Sequence, residues 1–70
     1  MIYTHKSWPT PPGYFCYAVI DSAPGSDIES WAVQHGGSLR RDHVHYVLIP
    51  HGHFPTFISL FGNWVAHVAD

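Results

Sequence analysis

Seven histidines in a chain of 70 residues are the side chains best suited to chemistry here. His43 and His45 stand two apart in the run Asp42–Pro50, which reads as extended. Side chains two apart on a strand leave the same face, about 6–7 Å from one another, so both imidazoles can reach one ion. His51 and His53 repeat the spacing just beyond Pro50. If the chain turns back at that proline, four ring nitrogens surround one centre, a donor set suited to zinc, copper or nickel. The plainer alternative is a polar strand face, since a histidine-rich chain contains such pairs by coincidence. Neither an HExxH motif nor a second cysteine accompanies the pairs.

The segment Asp42-His43-Val44-His45-Tyr46-Val47-Leu48-Ile49-Pro50 also resembles the metal-binding strand of HUH nucleases, and within them the single-tyrosine transposases. The resemblance covers nine of the 70 residues. It implies His43 and His45 as ligands of a divalent ion and a minimal metal-dependent nucleic-acid enzyme. The family also places a nucleophilic tyrosine on a following helix, and no tyrosine follows Tyr46.

Other chemistry finds less material. Cys16 lies within Tyr-Phe-Cys-Tyr-Ala-Val-Ile and reads as a buried small hydrophobe. Asp27 and Glu29 read as helix-capping residues, and Gly36-Gly37 follows a helix, whereas a phosphate loop precedes one. No catalytic set is complete, so a non-enzymatic protein is expected.

The composition favours contact over catalysis. Hydrophobic residues make up 46% and aromatic residues 16%, whereas charged residues make up 11%, against about 25% in an ordinary domain. So little charge and so many rings predict a surface that seeks a protein partner or a second copy of itself. Trp8, held among prolines, loses little freedom on docking and suits an anchor. With Tyr14, Arg40, Arg41 and Tyr46 it makes up the expected partner surface. The formal charge is −2 with neutral histidines; without clustered Lys and Arg, direct nucleic-acid binding is not expected. No leader peptide or membrane span is expected, and the lone cysteine suits a reducing, cytoplasmic compartment.

The elements that must position these residues follow from periodicity. Residues 1–13 form a proline-rich arm, with an edge strand expected at Met1–Thr4. Tyr14–Asp21 reads as a strand apolar on both faces. Ser26-Asp27-Ile28-Glu29 matches a capping box, and Ile28, Trp31, Ala32 and His35 fall on one helical face that Gly36-Gly37 ends. Ser38–Ile49 reads as a second strand, parallel to the first if the two are neighbours. From Pro55 the pattern admits an amphipathic helix carrying Phe57, Leu60, Phe61, Trp64, Val65 and Val68, or a hairpin turning at Gly62-Asn63.

The sequence therefore predicts one small α+β or α/β domain over residues 1–70. It is a two-layer sandwich of strand–helix–strand and a C-terminal amphipathic helix, with a C-terminal hairpin as the alternative. The expected function is to bind and inhibit a protein or ribonucleoprotein complex of a host cell. Phages and mobile elements encode free-standing proteins of this size for that purpose, anti-CRISPR proteins among them. Partner binding needs no cofactor; the alternative is a zinc or other divalent-metal protein built on His43, His45, His51 and His53. A homodimer is a further expectation.

Overall fold

A computed structural model of the chain describes residues 8–42 and 44–68. The edge strand expected at Met1–Thr4 lies outside them. Gly13, at φ 86°, closes the arm in a conformation suited to glycine and delivers the chain into β1, Tyr14–Val19. The last four residues of β1 are buried, as a run apolar on both faces requires.

The following helix, α1, spans Gly25–Gln34. Its stripe is buried as the spacing predicts: Ile28 and Ala32 are fully inaccessible, and Trp31 packs against the core from their flank. The expected capping box does not form. Pro24 is the N-cap and no side chain caps the helix, so Ser26 already lies inside the first turn. The Pro24 carbonyl accepts the Ile28 N–H at 3.0 Å. Gly36 ends the element at φ 82°, and at Gly37 any Cβ would collide with the Leu48 carbonyl oxygen.

The single strand expected over Ser38–Ile49 is two strands, β2 (Ser38–Arg40) and β3 (His45–Pro50), paired antiparallel through Leu39 and Val47. The polar Arg41-Asp42 step makes the reversal, aspartate being a residue that favours turns. β1 pairs antiparallel with β3 from Tyr14↔Pro50 to Val19↔His45. A parallel β1–β2 pair is therefore not made, because β3 lies between them.

The C-terminal segment begins as the expected helix but ends as a strand, and the alternative hairpin turning at Gly62-Asn63 does not form, because the strand pairs with β1. Phe54–Phe61 is a helix, α2, with Pro55 in its first turn; Gly62–Trp64 is a 3₁₀ turn; Val65–His67 is a strand, β4, antiparallel to β1. The helix stops at Gly62, where continuing would cost about 1 kcal/mol. Trp64, Val65 and Val68 thus leave the helical stripe. The sheet order is β2-β3-β1-β4. Each helix connects two strands that run the same way with an antiparallel strand between them, so β-α-β-β-α-β forms two interleaved split βαβ units, the ferredoxin-like topology. The fold is α+β. Among the described residues no helix is long and apolar enough to cross a membrane.

Both sheet faces are covered. Tyr17, Val19, Val47 and Ile49 pack under Ile28 and Ala32 of α1 and Phe57 of α2. Cys16, Ala18, Tyr46 and Leu48 face the other way, against Val68, Trp8 and Tyr14.

Two predictions follow from this packing. Phe57 is fully buried between the helices and the sheet, so Phe57→Ala should cost about 3–5 kcal/mol in a urea unfolding curve. Burial raises the Tyr17 phenol above its ordinary pKa of 10.0. The fold holds the neutral ring, so this stability is complete below pH 10 and is lost as pH rises through the raised native value. Melting temperature should fall on the alkaline side, and Tyr17→Phe should flatten part of that fall; an identical fall in the variant would refute the assignment.

Candidate functional site

β3 decides what the histidines can do. His45 opens the strand and His51 follows its end, and a strand of that length carries them roughly 20 Å apart. After Pro50 the chain does not turn back along β3; it goes on through the His51–His53 turn into α2. His45, His51 and His53 therefore do not share a centre, a correction to the convergence that H-x-H spacing suggested. His43 lies outside the described residues, and with it the ligand pair of the nuclease-like strand. Among the described residues no three His, Cys, Asp or Glu side chains group around a common point.

The histidines meet aromatic rings instead. His51 lies 4.2 Å from Phe15 between ring centroids, and His67 lies 5.8 Å from Phe15 and 5.7 Å from Tyr17. His35 stacks on Trp31 at 3.9 Å, with His53 at its edge.

Of the expected partner surface, Arg40 and Arg41 are exposed, Trp8 and Tyr14 are half-buried, and Tyr46 is turned inward. Tyr46 is fully buried, so its ring has nothing to offer a partner, a second correction. Trp8 stands edge-on to it at 5.4 Å, and the Arg40 guanidinium lies over the Trp8 ring at 4.4 Å, a cation–π contact. Tyr14 is half-buried and its hydroxyl donates to the Gly36 carbonyl at 3.1 Å. Arg41 donates to both carboxylate oxygens of Glu29, at 2.7 and 3.3 Å. These residues roof the second face of the sheet and tie the β2–β3 reversal to α1. The second face needs such a roof because both helices cover the first.

Composition predicts a surface that seeks a partner, but the sequence pattern does not place its apolar part on α2. Five large apolar residues among those described are exposed: Ile20, Val33, Phe54, Ile58 and Leu60. Three of them lie on α2, which has eight residues and no charge. The predicted stripe puts Leu60 inward with Phe57. In the structure only Phe57 is buried and Leu60 is half exposed, because two turns of helix can set one row of side chains on a sheet. The signal was present in Phe-Pro-Thr-Phe-Ile-Ser-Leu-Phe, which is apolar on more than one helical face.

Phe54 extends this surface to the sheet. Its ring meets Phe15 edge-on at 4.9 Å. Phe15 and His51 also line a cavity of about 410 Å³ beneath the arm, with Pro11, Tyr14, Cys16 and His67 among its other walls. Comparison with known families, curated proteins and solved structures finds no match to this chain.

The roles of Trp8 and Arg41 separate on truncation. Trp8→Ala uncovers Tyr46 and should cost about 2 kcal/mol or more in chemical denaturation. Arg41→Ala removes an exposed ion pair and should cost less than about 1 kcal/mol. Equal losses would contradict the roofing role of Trp8.

Proposed function

We propose that this chain is a small cytoplasmic binding protein that acts by occupying a protein partner's surface, with α2 as the docking element. The observation that carries the reading is the outward display of Phe54, Ile58 and Leu60 on a helix without charge. Phe54 and Ile58 are four apart and share one side of the helix, the spacing with which helices enter apolar grooves. Depletion of charge with enrichment in aromatic residues is the composition of interface centres. The partner is a protein offering an apolar groove, and blocking that groove would inhibit whatever it normally binds. A host enzyme or defence complex opposed by a phage or mobile element is the setting this size of protein suits.

The test compares two folded variants in affinity capture from candidate host lysates. One carries Phe54→Ser, Ile58→Ser and Leu60→Ser; the other carries Val33→Ser, an exposed apolar change away from α2. Interface anchors contribute about 2 kcal/mol or more each, so the triple variant should lose its partner while Val33→Ser retains it. A partner held equally by both variants would sink the proposal. A wild-type dimer in sedimentation that the triple variant dissociates would make the occupant a second copy of this chain.

A further inference from the structure

We infer that His35 and His53 form a two-imidazole site for a zinc-class divalent cation. The two residues are far apart in the chain and come from different elements. His35 caps the C-terminus of α1, and His53 ends the turn that precedes α2.

His35 is held in the manner of a metal ligand. Its Nδ1 lies 2.7 Å from the Trp31 carbonyl oxygen. A carbonyl only accepts, so Nδ1 bears the hydrogen and Nε2 of the neutral ring keeps its lone pair. Metal-binding histidines characteristically donate their second ring N–H to such a partner, which fixes tautomer and ring orientation. Stacking on Trp31, at 3.9 Å and 18° between planes, fixes the ring a second time.

The position of His53 follows from three distances. The centroids lie 3.9 Å apart for Trp31–His35, 5.2 Å for His35–His53 and 6.5 Å for Trp31–His53. These lengths close a right angle at His35. Trp31 occupies the face of the His35 ring, so His53 lies off its edge, with the two imidazole planes inclined at 68°. Two imidazoles bound to one tetrahedral ion at about 2.0–2.1 Å per nitrogen have centroids about 5 Å apart. The observed 5.2 Å leaves room for one ion between the two rings.

His35 is half-buried and His53 exposed, so an ion here faces water on one side. No third protein ligand joins among the described residues, which leaves coordination positions to water or to a ligand. Imidazole donors favour zinc, copper and nickel over magnesium or calcium. Bound metal would clamp the end of α1 to the entry of α2, and Trp31 already contacts Phe57 and Phe61 of α2 at 5.7 and 6.4 Å. The site does not depend on α2 being a docking element.

The experiment titrates the full, untagged chain with Zn²⁺ by calorimetry and follows tryptophan emission with Ni²⁺. His53→Ala, at an exposed position, should weaken one-to-one Zn²⁺ binding by about tenfold or more, the least expected for loss of a direct ligand. Binding should be unchanged in His51→Ala and in the combined His5→Ala, His43→Ala and His45→Ala variant. Ni²⁺ should quench emission in the wild type, and Trp31→Phe should remove most of that quenching. Three outcomes would each overturn the site: no saturable micromolar binding by the wild type, full binding by His53→Ala, or binding lost with His5, His43 and His45.

Discussion

The β1–β3 pair is apolar on both faces, so this sheet has to be covered twice. Tyr17, Val19, Val47 and Ile49 look one way, and Cys16, Ala18, Tyr46 and Leu48 the other. The described residues hold two short helices, and the split βαβ connections put both on one side. Among the described residues the opposite face is covered by single side chains, Trp8 before β1, Tyr14 at its start, Val44 before β3 and Val68 after β4. This division explains why residues that look like recognition elements contact one another, Trp8 edge-on to Tyr46 and Arg40 over the Trp8 ring. Trp8 and Tyr46 pack within the second face, and Arg40 lies outside them.

The two helices meet the first face unequally. α1 sets Ile28 and Ala32 inward and turns Ser30, Val33 and Gln34 to solvent, a conventional amphipathic division marred only by Val33. α2 buries Phe57 and leaves apolar side chains on both flanks of it. A helix selected only to cover the sheet would carry charge on those flanks. Exposed apolar surface of this kind is a liability in a free monomer and an asset in a complex, and the overall scarcity of charge intensifies it.

Much of this architecture is legible in the sequence because local rules and tertiary demands agree. Two-sided apolarity marks β1, a single apolar stripe marks α1, and Gly36 breaks the helix where left-handed backbone is needed. Legibility fails where those demands compete. Pro24 takes the N-cap, which leaves Ser26 and Glu29 with no capping role and frees Glu29 for Arg41. The stripe after Pro55 is regular for three turns on paper, but the sheet needs a fourth strand, and Gly62 is the cheapest place to stop the helix. The histidines show the same limit. Spacing along the chain singles out His43, His45, His51 and His53, whereas the contact that forms joins His35 to His53 across the gap between two elements. No local pattern encodes such a pair.

The pairing of β4 with β1 also sets the order in which the molecule can be made. Tyr17 is opposite His67, and the Cys16 carbonyl accepts the Val68 N–H at 2.9 Å. The central strand thus takes its second neighbour from residues 65–67, far along the chain from β1. Closing so long a loop is entropically slow compared with forming the β2–β3 hairpin or α1. Until it closes, one edge of β1 is an open template for any other extended chain, including a second nascent copy of this one. The exposure lasts until residues 65–67 have been made and the loop has closed, so the hazard of aggregation is set by how late β4 arrives.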